Sequence, residues 1–206
     1  MKAVYNISYG LYVLTAKSDK HNGCITNTLC QVTTSPNRVT VTLNKQNYTT
    51  ELVQKTGRFN VSILDESCDF DMIKHFGFAS GRDVDKFENF SEYKVDENEI
   101  SYITKSVNSY ITCKVVEEKD LGTHIQFLAD VTGDFVIGDK PSVTYAYYQT
   151  NIKPKPQELP KKVVHVCKVC GYVYEGDPLP EDFICPWCKH GAEDFEKRER
   201  WSQNKI

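Results

Sequence analysis

Cys167-Lys-Val-Cys170-Gly-Tyr-Val-Tyr-Glu-Gly176, followed by Cys185-Pro-Trp-Cys188, is the stretch on which the reading of this chain turns. Each C-x-x-C turn can bring two thiolates onto one ion. Two such turns make a closed tetrahedral sulfur site, which suits iron or zinc. With iron the chain moves electrons; with zinc the site is a staple. Tight turns aim backbone N–H groups at the sulfurs and offset the charge of four thiolates. Gly171 supplies the permissive backbone that the first turn wants. Tyr172, Tyr174, Phe183, Trp187 and Phe195 crowd the same short segment. They are expected to form an aromatic shell that excludes water and tunes the local dielectric.

Working outward, 206 residues hold one ordinary domain plus a small one. The chain is 40% hydrophobic and 12% aromatic, enough for a core. A net charge of −3 argues against non-specific binding of nucleic acid. No apolar run approaches the length needed to span a membrane. Residues 1–16 are too polar for a signal peptide. Besides the paired cysteines, Cys24, Cys30, Cys68 and Cys113 stand singly in apolar segments and are expected to be buried small hydrophobes. That usage fits a reduced, cytoplasmic chain with a metal site. The triplets at Asn6, Asn47, Asn60 and Asn89 then read as chance matches to a glycosylation signal.

The composition shifts near residue 150. Residues 151–162 carry Pro154, Pro156 and Pro160 among lysines and little to bury, so they read as an extended linker. The expected division is a domain over 1–150, the linker over 151–162, and a small domain with a tail over 163–206. Before the linker, period-2 patterning rich in Val, Ile, Thr, Tyr and Phe predicts strands. The candidates are 9–16, 25–33, 39–43, 58–64, 110–117, 124–132 and 143–149. Helices are expected over 49–55 and 69–76, the second stopped by Gly77. The chain is therefore mainly β, an antiparallel barrel or sandwich. It contains no Rossmann glycine fingerprint, phosphate-binding P-loop, nucleophile elbow or zincin motif.

Residues 163–196 hold Glu175, Asp177, Glu181, Asp182, Glu193, Asp194 and Glu196 against Lys168 and Lys189. Such a face either steers a basic redox partner or simply keeps the domain soluble.

The C-G-Y-x-Y-x-G and C-P-x-C elements over 163–197 resemble a rubredoxin domain of the shortened kind. One position departs: Lys189 stands where the second knuckle normally has glycine. Upstream, Tyr9-Gly-Leu-Tyr12, Asn22-Gly-Cys-Ile-Thr-Asn-Thr28, Asn44-Lys-Gln-Asn-Tyr-Thr49, Phe78-Ala-Ser-Gly-Arg-Asp-Val-Asp-Lys-Phe87 and Gly122-Thr-His124 recur in order. Together they resemble the flavin reductase family, and the whole chain resembles the high-molecular-weight rubredoxins. The resemblance implies an FMN-binding split β-barrel followed by a small rubredoxin-like metal-binding domain.

It implies FMN held by hydroxyl, amide and cationic donors from Thr26, Asn27, Thr28, Lys45, Thr49, Ser80, Arg82 and Lys86. The backbone near Asn27, Thr28 and Asn44 would meet the ring edge and ribityl chain, and Gly81 would let its loop come close. His124 either lines that site or is an ordinary strand residue. Thr50 stands where the family often has histidine. Cys167, Cys170, Cys185 and Cys188 would hold one iron, with zinc the alternative metal. The implied function is electron transfer from NAD(P)H through FMN to the Fe(Cys)4 centre, with no acid or base side chain required. A flavodiiron protein that reduces oxygen or nitric oxide is the implied acceptor, and a homodimer the implied assembly. Two other readings stand beside it: an electron carrier loaded by a separate reductase, and a flavin reductase with a structural zinc module.

Overall fold

A computed structural model describes residues 3–154 and 161–201. The chain divides after Pro154 into two compact units.

The first unit begins with two hairpins. β1 (Tyr12–Lys17) pairs with β2 (His21–Thr26), and β3 (Cys30–Thr34) with β4 (Asn37–Asn44). Helix α1 (Tyr48–Thr56) follows and ends at Gly57, whose φ of 67° lets its N–H reach Val53 O at 2.8 Å. β5 (Arg58–Leu64) leads to α2 (Phe70–Gly77), where Asp69 caps the start by accepting from Met72 N. A small hairpin, β6 (Tyr93–Val95) and β7 (Ser101–Ile103), precedes a long one, β8 (Val107–Asp120) and β9 (His124–Val136). Seven of these strands make one antiparallel sheet in the order β2-β1-β5-β8-β9-β4-β3.

That sheet is curled. Cys24 of β2 and Val39, Val41 and Leu43 of β4 stand near opposite ends of the order, yet share one core cluster with Leu14, Phe59, Val61 and Phe127. β2 and β3 remain unpaired with each other, so the barrel is split. Strand β4 alternates strictly: Val39, Val41 and Leu43 point in, Arg38, Thr40 and Thr42 point out. Strand β1 does not alternate, because both its faces are covered. Leu14 faces the barrel core. Val13 joins a second cluster with Leu64, Met72, Ile73, Phe76 and Phe87. Fully burying each large side chain contributes roughly 1.5–3 kcal/mol.

The second unit is a three-stranded sheet in the order β11-β10-β12, with β10 (Lys161–Cys167), β11 (Val173–Tyr174) and β12 (Phe195–Trp201).

Several expectations are corrected. The strand expected over 143–149 is helical: Thr144 caps a turn at Tyr145–Tyr147 that runs on into Tyr148–Ile152. Tyr148 is buried in the second cluster, so packing overrides the β-rich composition. The run 25–33 breaks at 27–29 into the end of β2 and the start of β3. Gly77 is the last residue of α2 and not its stop, since Phe78 closes the helix by donating to Lys74 O. Of the expected linker, 155–160 lie outside the described residues, Ile152 belongs to a helical turn and Lys161 to a strand. Cys24, Cys68 and Cys113 are buried, but Cys30 is exposed on β3.

Candidate functional site

The metal centre is built by turns at the ends of short pairings. Cys167 ends β10, and Gly171 N donates to Cys167 O at 2.9 Å, closing the first knuckle. Lys189 N donates to Cys185 O at 2.9 Å and closes the second in the same way. The residue after each knuckle takes left-handed backbone, Gly171 at φ 75° and Lys189 at φ 64°. Lysine thus adopts the glycine conformation and does not avoid it.

The four sulfurs lie within 4.8 Å of one another. Cys167–Cys188 and Cys170–Cys185 are each 3.5 Å apart. A tetrahedron with metal–sulfur bonds of about 2.3 Å has edges of about 3.8 Å, so the donor set fits one iron or zinc. Backbone N–H groups of Tyr172, Cys188 and His190 point at the sulfurs of Cys170, Cys185 and Cys188. Phe183 packs on Tyr174 at 4.7 Å and on Phe195 at 5.4 Å, forming the expected shell. Trp187 is the exception. It meets Tyr172 edge-on at 5.3 Å but stays 70% exposed.

In the barrel unit the candidate flavin residues fall into three groups. The first surrounds a cavity of about 310 Å³ between β2, the start of α1 and the 76–86 segment. Thr49, Ser80, Gly81 and Lys86 line it together with Asn22, Gln46, Asn47 and Tyr48. Gly81 is required there, since a Cβ would stand 2.1 Å from Asn22 Oδ1. Asn22 Nδ2 donates to Thr49 Oγ1 at 2.8 Å, whereas the buried Oδ1 finds no partner among the described residues. Asn47, the N-cap of α1, gives the helix no side-chain cap, and Asn47, Tyr48 and Thr49 at this helix start all line the same cavity. Lys86 is turned inward. Its ammonium donates to Gly23 O and Phe76 O, each at 2.8 Å, and burial lowers its pKa. Arg82 reaches over from the 80–86 loop, donating to Gln46 O at 2.7 Å, pairing with Glu51 and lying over the Tyr48 ring.

The second group lines a larger apolar cavity of about 1030 Å³. Asn27 and Thr28 meet Ile7, Tyr9 and Tyr145 there. Thr28 Oγ1 donates to Thr42 O at 2.7 Å and accepts from Thr42 N at 3.0 Å, which pins this loop to β4. Thr26 Oγ1 lies 3.0 Å from Thr28 Oγ1.

The third group sits where β4 meets the β8–β9 tip. Asn44 is the register partner of His124. Lys45 pairs with Asp120 at 2.6 Å, and this ammonium holds the Asp120 carboxyl below its usual range. His124 Nδ1 lies 2.8 Å from Thr123 Oγ1.

Neither cavity contains all eleven candidates. Asn22, Tyr9 and Tyr145 are cavity residues that were not singled out as ligands. Asn22 carried a signal: a polar side chain beside Gly23, and glycine inside a strand often marks a place where another group approaches closely. Among the other thiols, burial pushes Cys113 up to about 12, and burial with Asp69 and Asp65 does the same for Cys68. Both are inert.

Residues 4–155 match the flavin reductase like domain family, and residues 165–196 the rubrerythrin, rubredoxin-like domain family. The chain is 34% identical to a high molecular weight rubredoxin of Moorella thermoacetica, over 95% of this chain and 98% of that one. It is 36% identical to a ferric-chelate reductase (NAD(P)H) of Archaeoglobus fulgidus, over 75% of this chain and 92% of that one. Among solved structures, an NADH:FAD oxidoreductase of Streptomyces globisporus superposes with a TM-score of 0.62 at 20% identity, over 68% of this chain and 84% of that one. With a flavin reductase-like split barrel followed by a four-cysteine rubredoxin-like module, this chain belongs to the high-molecular-weight rubredoxin family.

Proposed function

We propose that this chain relays electrons from NAD(P)H, by way of FMN, to a single iron held by Cys167, Cys170, Cys185 and Cys188, and on to a soluble redox protein. The observation that carries the reading is the four-sulfur cluster on the same chain as a flavin reductase-like barrel. When bound, a flavin takes electrons in pairs and releases them singly, and a tetrathiolate iron carries one at a time. One nicotinamide therefore serves two one-electron acceptors and leaves one proton behind.

The residues support this division of labour. Asn22, Thr49, Ser80 and the uncapped start of α1 offer hydroxyl, amide and N–H groups to a phosphate, and Arg82 brings positive charge. The loop at Asn27 and Thr28, pinned to Thr42, offers backbone to the flavin ring beside the apolar wall of Ile7, Tyr9 and Tyr145. Asn44 and Lys45 at the end of β4, with His124 at the β8–β9 tip, would reach the ligand from a third side, Lys45 by exchanging Asp120 for it. In the second unit, backbone N–H groups offset the thiolate charge while Phe183, Tyr174 and Phe195 limit water. The split between β2 and β3 leaves sheet edges that a second copy would cover, which favours a homodimer. The eight cysteines, all unbridged, favour a reducing compartment such as the cytoplasm. The acceptor class proposed is a flavodiiron protein.

Anaerobic rapid mixing tests the relay. NADH or NADPH added to the FMN- and iron-loaded chain should bleach the flavin band and then the iron band. A flavin that NAD(P)H leaves oxidised, yet a separate reductase bleaches, makes the chain a carrier only. Zinc in place of iron in protein purified from its native host removes the relay.

A further inference from the structure

The segment 78–85 is anchored at its feet and free between them. Lys86 is buried, and its ammonium donates to Gly23 O and Phe76 O, which fixes the end of the segment to β2 and to the end of α2. Within 78–85 every residue but Gly81 is exposed. The tip is a turn that closes on itself. Asp83 N and Val84 N both donate to Ser80 O at 3.1 Å, and Arg82 N donates to Ser80 Oγ at 3.2 Å. Such a turn moves as one piece, with the backbone on either side of it absorbing the rotation.

This tip meets the opposite wall of the 310 Å³ cavity at two places. Gly81 lies against Asn22. Arg82 crosses to the start of α1, where it donates to Gln46 O at 2.7 Å, pairs with Glu51 and stands 5.6 Å from the centre of the Tyr48 ring. Both partners of the ion pair are well exposed, at 41% and 52%, so the clasp is a weak one. Closure also has a cost. Asn22 Oδ1 is buried at the Gly81 contact and finds no partner among the described residues. A firm hinge, a weak clasp and an acceptor kept dry by closure are the properties of a segment that opens locally.

We propose that 78–85 is a lid over this cavity, and that Glu51 is the positioning residue that latches it through Arg82. Opening breaks the Arg82–Glu51 pair and the bond to Gln46 O and lets water reach Asn22 Oδ1. Closing reverses each step. The latch therefore sets how fast a ligand enters and leaves the cavity. Only the identity of that ligand rests on the flavin reading above.

Cys24 reports opening without any ligand. It lines the cavity at 6% exposure, and burial raises its pKa. Iodoacetamide, a neutral reagent, reacts when a thiolate displaces its iodide, so Cys24 labels when the lid is open. The full chain with its metal loaded is labelled and followed by peptide mass. Glu51→Gln should speed Cys24 labelling about threefold, the scale of one exposed ion pair. Arg82→Ala also loses the Gln46 and Tyr48 contacts, and should speed it about tenfold. Cys113, 2% exposed in the barrel core, should label at the wild-type rate in both, which separates lid opening from general unfolding. Added salt should speed labelling of Cys24 in the wild type and leave Glu51→Gln unchanged. Glu51→Arg combined with Arg82→Glu should label more slowly than either change alone.

The second arm follows release of FMN and of riboflavin by recovery of flavin fluorescence. Glu51→Gln should quicken both about threefold, because a gate acts alike on a ligand with and without a phosphate. Wild-type labelling of Cys24 in Glu51→Gln and Arg82→Ala overturns the lid. So does a release quickened for FMN alone, since Glu51 would then act on the phosphate contact. If the wild-type chain binds neither flavin, the flavin reading falls and the labelling still decides the lid.

Discussion

The metal module and the barrel build their sites in opposite ways. In the module, four ligands come from two short turns that close on themselves through Gly171 N to Cys167 O and Lys189 N to Cys185 O. Local spacing is enough to specify it. In the barrel, the wall of the smaller cavity comes from Asn22, from 46–49 and from 76–86, which only the fold brings together. A turn-built site tolerates changes in the rest of the chain and fails completely when a ligand is lost. A fold-built site degrades by degrees.

The largest effect should therefore come from Cys185→Ser. A tetrathiolate site contributes on the order of 10 kcal/mol to the folding of a small metal module. Iron content and its visible absorbance should disappear and electron export with them, while NADH still reduces the flavin at the normal rate. Export at wild-type rate in this variant would break the proposed order of transfer.

Next in size is Lys86→Met in the barrel. The Lys86 ammonium joins Gly23 O to Phe76 O, so it ties β2 to the end of α2. Removing it orphans two buried carbonyls, at about 1–3 kcal/mol each. Thermal melts should show roughly 2–4 kcal/mol of lost stability with the iron site untouched. The pH dependence carries a sign. Burial lowers the Lys86 pKa from its usual 10.5, so as pH climbs toward 10.5 the folded chain sheds this proton before the unfolded chain does. The unfolded state then binds more protons, and stability rises with pH. The gap between wild type and Lys86→Met should widen over that window. A variant that keeps full stability but loses FMN would make Lys86 a ligand and not a clip.

The same contrast explains what the sequence revealed. The ligands Cys167, Cys170, Cys185 and Cys188 were legible because their geometry is encoded within each turn. Strand β4 was legible because one face is buried and the other wet. Strand β1 was recognised but not its double burial, since nothing local reports the α2 layer covering Val13. The 143–149 segment misled because Val143, Tyr145, Tyr147 and Tyr148 suit a strand, yet the chain turns helical from Tyr145, with Val143 and Tyr148 buried in the second cluster and Tyr147 packed against it. Asn22 was passed over because its partner Thr49 is 27 residues away and Gly81 is further still. Trp187 was read as shell because ring content does not say which way a ring faces.

Gly81→Ala probes the fold-built site at smaller amplitude. The added methyl must push against Asn22 Oδ1, which can yield only by breaking its amide's bond to Thr49. FMN affinity, read by fluorescence quenching, should fall about tenfold, or about 1.4 kcal/mol. Iron binding should not change. Unaltered FMN affinity would remove this cavity from the flavin site.

The smallest effect isolates the two knuckles from each other. Gly171 and Lys189 occupy equivalent positions with φ of 75° and 64°, but only one of them is a glycine. A left-handed residue with a Cβ costs roughly 1–2 kcal/mol. Glycine gives back part of that through its greater freedom in the unfolded chain, about 0.5–1 kcal/mol. Lys189→Gly should thus stabilise the module by about 0.5–1 kcal/mol, and Gly171→Lys should destabilise it by a similar amount. Slower loss of iron to a chelator in the first variant, and faster loss in the second, would read both signs. If Lys189→Gly releases iron faster, the lysine side chain holds the second knuckle by a contact worth more than its backbone strain, and the two turns are equivalent in shape but not in how they are stabilised.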